Sequence, residues 1–210
     1  MVLQLPDSGA EILPDGRRMV PSAARNAGPI LDVLRGLGLQ GRLLEIASGS
    51  GLHAAVMAGE LGLDWQPTDV DPGNFASIRG WAGVSAGAIR EPVLLDATTP
   101  GWAVEMGRWD AVLLVNLLHL IPSVSVEILL AEVAQALAPG GMFCLYGPFL
   151  RNGQPTSPGD AAFDASLRAQ DPAIGYKDLD WVVDHLTGRG LAVRVVDMPA
   201  NNLMLVAQRA

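Results

Sequence analysis

Short apolar runs alternate with amphipathic stretches along most of this chain, the pattern of parallel strands covered by helices on both faces. The runs predict strands over 42 to 47 (RLLEIA), 63 to 69 (LDWQPTD), 92 to 97 (PVLLDA), 110 to 117 (DAVLLVNL), 142 to 147 (MFCLYG), 192 to 198 (AVRVVDM) and 203 to 208 (LMLVAQ). The clearest helix covers about 124 to 138. There Val126, Leu129, Leu130, Val133 and Leu137 recur at helical spacing, with Glu127, Glu132 and Gln135 opposite them. Ser123 can cap its start, and Pro139, Gly140 and Gly141 end it. Further helices are expected near 53 to 62, 72 to 82 and 177 to 188. Another, near 22 to 36, precedes the first strand within an N-terminal helical segment of about 17 to 40.

Two connections carry topology. Only PANN (199 to 202) joins the last two strands, so they must pair as an antiparallel hairpin, because a parallel pair needs a crossover of a dozen or more residues. Residues 148 to 176, rich in Pro, Gly, Asp and Ala, are too long for an ordinary connection, and a segment of that kind carries function or covers something. The expectation is one α/β domain over 1 to 210. It has a Rossmann-like, doubly wound, seven-stranded mixed sheet with a C-terminal antiparallel hairpin, and 148 to 176 forms a lid.

Composition narrows the partners. Half of the 210 residues are hydrophobic and 17% are charged, too apolar for disorder. The longest apolar stretch, 111 to 121, is broken by Asn116 and His119 and falls short of the ~20 residues that span a bilayer, so no membrane partner is expected. The opening MVLQLPDSGAE lacks the basic start and apolar core of a secretion signal, which points to the cytoplasm. Cys144 sits alone in the apolar run MFCLY and reads as a core residue. A net charge of -8 with fourteen scattered Lys and Arg disfavours nucleic acid. A small molecule is the expected partner.

The densest local signal is LLEIASGSGLHAA (43 to 55): a strand, then Gly49-Ser50-Gly51, then a helix, with Asp69 at the end of the next strand. Glycines there allow a tight turn and close approach of a ligand, and the acid about twenty residues on can accept from both ribose hydroxyls. That spacing alone fits a nicotinamide or flavin enzyme as well as a binder of S-adenosylmethionine. Glu45 separates the two. A carboxylate inside the first strand opposes a pyrophosphate over the glycine turn but attracts a sulfonium ligand with a free ammonium group. The plainer alternative is a Glu45 paired with a nearby Lys or Arg.

Other polar residues recur where parallel strands end, outside which ligands lie in such sheets. Asp69 and Asp71 follow the second strand, Asp96 the third, Asn116 and His119 the fourth, and Tyr146 the fifth. Asp71 before Pro72 reads as a helix cap. Asp96, beside the Ala97 backbone, is placed to accept from an exocyclic amine such as that of adenine.

EIASGSG, PTDVDP, LLDAT, VNLLHLIP, LAPGG, YGPF and DMPANN, in this order, resemble the class I S-adenosylmethionine-dependent methyltransferases, and most closely the methyltransferase-like protein 26 group of unknown substrate. The resemblance runs from about Arg17 to Arg209. It implies that Glu45, Gly49 and Gly51 form the cofactor loop, that Asp69 holds the ribose and Asp96 and Ala97 the adenine, and that Asn116 lies beside the methionine portion. The family usually carries an acidic residue before its Arg-Asn pair and a charged one after it, whereas this chain reads Ala24, Arg25, Asn26, Ala27, Gly28.

Arg25 can pair with the cofactor's carboxylate, or be a surface arginine. His119 is the candidate general base by position, the alternative being a packed histidine. His53, in a helix's first turn, reads as structural because a charge there opposes the helix dipole. The tryptophans read as core anchors. The resemblance also implies that the last strand lies beside the fifth, so that Asn201 and Asn202 face Tyr146 and Phe149. Two amides and a phenol at that corner suit a small polar methyl acceptor. The expected function is methyl transfer from S-adenosylmethionine to a small polar molecule. The rivals are an NAD(P)-dependent oxidoreductase and a non-catalytic regulatory protein that keeps the cofactor site.

Overall fold

A computed structural model describes residues 9–210; most of the opening segment read for a secretion signal lies outside the described residues. The chain forms two compact units, Met1–Asp96 and Ala97–Ala210.

The first unit opens with an antiparallel pair, β1 (Glu11–Ile12) and β2 (Arg18–Met19). Helix α1 (Pro21–Gly36) starts on a proline, whose missing N–H costs nothing in the first turn, and buries Ala23, Ala27, Ile30, Leu31 and Leu34 along one stripe. β3 (Arg42–Ile46), α2 (Leu52–Leu61) and β4 (Asp64–Asp69) follow, with β3 and β4 parallel and Leu43 opposite Trp65. The helix expected from 72 begins instead as a 3-10 turn, Pro72–Asn74, before α3 (Phe75–Ala82). Asp71 caps that turn as expected, accepting from the Gly73 N–H at 2.8 Å. Two short strands, β5 (Ala88–Ile89) and β6 (Val93–Leu94), pair parallel with β4. The third expected strand therefore shrinks from six residues to the two of β6, whose exposed side chains gain little from ladder formation. Ala23, Leu52 and Trp81 form a small core on which Leu13, Met19 and Val20 of the N-terminal segment rest.

The second unit runs α4 (Trp102–Met106), β7 (Trp109–Val115), α5 (Ser123–Ala136), β8 (Leu137–Gly147), β9 (Phe149–Leu150), α6 (Pro158–Gln170), β10 (Lys177–Asp178), α7 (Leu179–Thr187), β11 (Leu191–Asp197) and β12 (Leu203–Arg209). β7 and β8 are parallel, β12 lies antiparallel between β8 and β11, and β9 pairs parallel with β10. The mixed pairing and the reversed hairpin match the sequence expectation.

Four local readings are corrected here. Ser123 is the first helical residue and caps nothing; the residue before it, Pro122, has no side chain to accept. The helix ends at Ala136, and Pro139, Gly140 and Gly141 belong to the extended start of β8. Glu132 is buried, its carboxylate accepting the N–H groups of Gly101 and Ala103 at 2.9 and 2.8 Å and so capping α4. The long segment 148 to 176 is not loop throughout, since it contains β9 and the thirteen-residue α6.

Candidate functional site

In the first unit β3 delivers Glu45 and Ile46, and the chain then turns through Ala47, Gly49 and Gly51, at φ +55°, +56° and +87°, into α2. The two glycines do different work. A Cβ on Gly51 would lie 2.7 Å from the Ile78 Cα, so that glycine is required by packing against α3. A Cβ on Gly49 would meet nothing within 4 Å, which leaves its face of the loop open to a ligand.

Asp69, buried at the end of β4, ties this loop to the following turn. Its Oδ2 accepts the Gly49 N–H at 2.8 Å and its Oδ1 the Asp71 N–H at 2.9 Å. Ser48 and Thr68 bond reciprocally at the strand ends: the Ser48 N–H donates to the Thr68 carbonyl at 2.8 Å, and the Thr68 N–H to the Ser48 hydroxyl at 3.1 Å. From β2, Arg18 donates to the Gly49 carbonyl at 3.4 Å and to the Asn74 side chain. Sequence reasoning passed over Arg18, because its nearness to the loop depends on how the N-terminal pair folds back.

Glu45 is almost fully buried. Its partner is neither Lys nor Arg: the Trp65 indole donates to its Oε2 at 2.9 Å. Burial pushes the carboxyl up to about 7, against the indole and Ser48 hydrogen bonds, and the nearby Asp69 pushes the same way as burial. With Leu43 opposite Trp65 and Glu45 opposite Pro67, Glu45, Trp65 and Asp69 share one face of the pair. The sequence shows Trp65 and Asp69 on one face of their strand, but only the register sets Glu45 on that face, so Trp65 reads from the sequence as a core anchor. His53 is buried and donates to the Asn26 Oδ1 at 2.7 Å, with its pKa lowered by burial to about 4, so it is a neutral structural group. Arg25, the residue before Asn26, lies on the exposed side of α1. Asp96 is exposed at the end of the unit.

In the second unit Ala97 is buried, and its carbonyl accepts from the Trp102 indole at 3.2 Å. Asn116, beyond the end of β7, has φ +57°, and its N–H donates to the Tyr146 carbonyl at 2.9 Å. His119 sits in a 3-10 turn, Leu118–Leu120, with its ring edge-on to Phe163 and Tyr176 at 5.8 and 5.9 Å. Burial lowers its pKa to about 4, and Lys177 adds to that. The Lys177 ammonium, itself buried, donates to the carbonyls of Ile121 and Gly175 at 2.9 and 2.8 Å and so joins the His119 turn to the end of the 148 to 176 segment. Tyr146 and Phe149 are buried, and burial raises the Tyr146 pKa.

The β12 register sets Met204 opposite Tyr146 and Leu203 opposite Gly147, which brings the PANN turn to the end of β8. Ala200 and Asn201 take left-handed conformations at φ +56° and +61°, and the Asn202 N–H closes the turn on the Pro199 carbonyl at 3.4 Å. The Asn202 side-chain amide donates to the carbonyls of Pro199 and Ala200 at 3.1 and 3.3 Å, inside the turn. Asn201 donates at 3.1 Å to the Asp160 Oδ2, which also receives the Thr156 and Ser157 hydroxyls at 2.7 Å each. Asp160 thus fastens α6 to the turn. The sequence reading missed it, since nothing local marks a contact between residues 41 apart.

Among solved structures, the chain is similar to an O-methyltransferase family protein from Burkholderia thailandensis, with 20% identity and a TM-score of 0.76 over 90% of this chain and 57% of that one. It is likewise similar to human N-acetylserotonin methyltransferase in complex with SAM, with 14% identity and a TM-score of 0.74 over 90% and 53%. A third likeness is to an O-methyltransferase family 2 protein from Planctomyces limnophilus in complex with apigenin, with 18% identity and a TM-score of 0.76 over 90% and 60%. The chain therefore spans little more than half the length of these proteins, and the likeness shows their α/β, Rossmann-like fold. No helix among the described residues is long and apolar enough to cross a membrane. A family model described as a protein of unknown function (DUF938) matches residues 17–209, and by that match this chain belongs to the DUF938 family.

Proposed function

We propose that this protein transfers a methyl group from S-adenosylmethionine to a small polar molecule, as a member of the methyltransferase-like protein 26 group acting as one domain over 1 to 210. The observation that carries the reading is the Asp69 carboxylate held by the N–H groups of Gly49 and Asp71 beside a glycine face that nothing fills. An ionised carboxylate offers about four lone-pair sites, so two remain for ribose hydroxyls. The fold shared with O-methyltransferases supports the same reaction class.

In this reading Glu45 attracts the ligand's ammonium and Gly49 and Gly51 let it approach the backbone. Arg25 pairs with its carboxylate, Asp96 and Ala97 receive the adenine, and Asn116 lies beside the methionine portion. Bound S-adenosylmethionine supplies a methyl group activated by its sulfonium. The chain's part is to align an acceptor with that group and to exclude water.

His119, neutral above about pH 4, is free to take a proton, but so low a pKa makes it a weak base. It therefore suits an acceptor whose proton becomes acidic as the new bond forms. Tyr146, its phenol held protonated by burial, donates to the acceptor. Phe149 packs against the acceptor and Asn202 belongs to the same corner. With the Asn201 amide committed to Asp160, its Oδ1 is the atom left to accept. The segment 148 to 176 covers this corner.

Ligand-dependent melting tests the cofactor. S-adenosylhomocysteine should raise the melting temperature of the wild type while NADH leaves it unchanged, since a ligand that binds only the folded state stabilises it by mass action. In Asp69→Ala calorimetry should read a binding loss on the order of 1 to 3 kcal/mol. Stabilisation by NADH alone would sink the reading. Incubation with S-adenosylmethionine and a metabolite extract should release S-adenosylhomocysteine; binding without release would point to a regulatory protein.

A further inference from the structure

The Trp65 indole is fully buried, on the strand beside Glu45, and its only possible donor is spent on the Glu45 carboxylate at 2.9 Å. Burying a carboxylate among neutral donors alone, with no cation beside it among the described residues, is costly, and a hydrophobic residue in place of Glu45 would avoid the cost. The pair is thus a poor device for stability alone. It fits a site that waits for a cation from outside. Rested on the methyl-transfer reading above, the geometry points to Trp65 as a positioning residue: its indole N–H orients the Glu45 carboxylate towards the ammonium of the bound amino-acid portion and favours the charged form that the ammonium requires.

The groups around the carboxyl make its ionisation sensitive to this one bond. Burial raises it to about 7 and Asp69, from β4, acts in the same direction; the Trp65 and Ser48 hydrogen bonds oppose them. His53, on α2, is the other buried titratable group of the neighbouring helix and is neutral in this range. Below about pH 7 the unliganded carboxyl holds a proton, so binding a cationic ammonium must expel it. Affinity should then rise with pH through that point. Removing the indole N–H takes away an interaction that favours the charged form, so the rise must move to higher pH.

The test is the affinity for S-adenosylhomocysteine, which carries the same ammonium, by calorimetry from pH 5.5 to 8.5 in the wild type and in Trp65→Phe. The expected wild-type affinity climbs with pH and levels off above 7. For a shift of about one pKa unit, Trp65→Phe should bind roughly five- to tenfold more weakly below pH 7 and almost like wild type at pH 8.5. An affinity that drops equally at every pH, or a wild-type profile in the variant, overturns the positioning role. No wild-type binding at any pH would instead overturn the methyl-transfer reading itself. Should Trp65→Phe not fold, the wild type still decides: the Trp65 indole proton resonance should titrate with the same midpoint as the affinity, and a resonance insensitive to pH overturns the inference.

Discussion

Ala47 holds a left-handed backbone at φ +55° immediately after the strand that carries Glu45. An L-residue with a Cβ loses roughly 1 to 2 kcal/mol there, and glycine avoids that cost while giving back some unfolded-state entropy. Ala47→Gly should accordingly gain on the order of 1 kcal/mol in urea unfolding; a clear loss would mean that the methyl group packs more than it strains. The glycines further on should separate by role. Gly51→Ala brings a Cβ within 2.7 Å of the Ile78 backbone and should cost several kcal/mol, whereas Gly49→Ala meets open space and should cost only the conformational strain, about 1 to 2 kcal/mol. Gly49→Ala should nevertheless lose S-adenosylhomocysteine binding. If it binds like the wild type, the open face of Gly49 is not where the ligand lies.

Between elements, the least expected connection is Glu132. Its place at the flank of the α5 stripe reads as solvated, yet the carboxylate is inside and bonds two N–H groups at the start of α4. Without it those donors have no acceptor, which costs roughly 1 to 3 kcal/mol each. Glu132→Ala should therefore lower the denaturation midpoint by the equivalent of about 2 to 5 kcal/mol at an unchanged m-value, and Glu132→Gln, which keeps one acceptor, by less. The contrast explains what sequence conveys. Strands such as Trp109–Val115 and Leu203–Arg209 announce themselves because each carries an unbroken apolar run, AVLLV and LMLVA, and the PANN link dictates an antiparallel pair. Helix α6 does not, since only Leu167 along its thirteen residues is buried and no apolar period can show. Its start was nonetheless legible: Ser157 before Pro158, with Asp160 behind, is a cap, and the Ser157 hydroxyl accepts the Asp160 N–H at 3.1 Å. The glycine loop and Asp69 were readable because their spacing is local to one strand-turn-helix-strand stretch. Trp65 on Glu45 and Asp160 on Asn201 were not, because each depends on a register or a turn that only folding supplies.

Across the whole molecule, three buried groups titrate between about pH 4 and 7 and set how stability varies there, and they do not agree in sign. His53 and His119 have folded pKa values near 4 against 6.5 when free, so the unfolded chain binds more protons between those values and stability falls as pH drops through that window. Glu45 runs the other way. Its folded value near 7 against 4.5 means that the folded chain holds the extra proton, so stability falls as pH rises from 4.5 to 7. Each full proton difference is worth about 1.4 kcal/mol per pH unit, and two histidines outweigh one glutamate. Between about pH 4.5 and 6.5 the unfolding free energy of the unliganded protein should therefore climb by a net slope on the order of 1.4 kcal/mol per unit and then level off or dip slightly towards pH 7. In His53→Gln, whose amide can still donate to Asn26, one histidine is gone and the remaining two groups should nearly cancel, leaving a flat profile over the same window. Saturating S-adenosylhomocysteine should change the curve by ionising Glu45, which removes the opposing slope and steepens the rise. Urea titrations at half-unit pH steps would read all three cases, and a wild-type protein that grows more stable as pH falls from 6.5 to 4.5 would mean that the histidines are not buried in the neutral form.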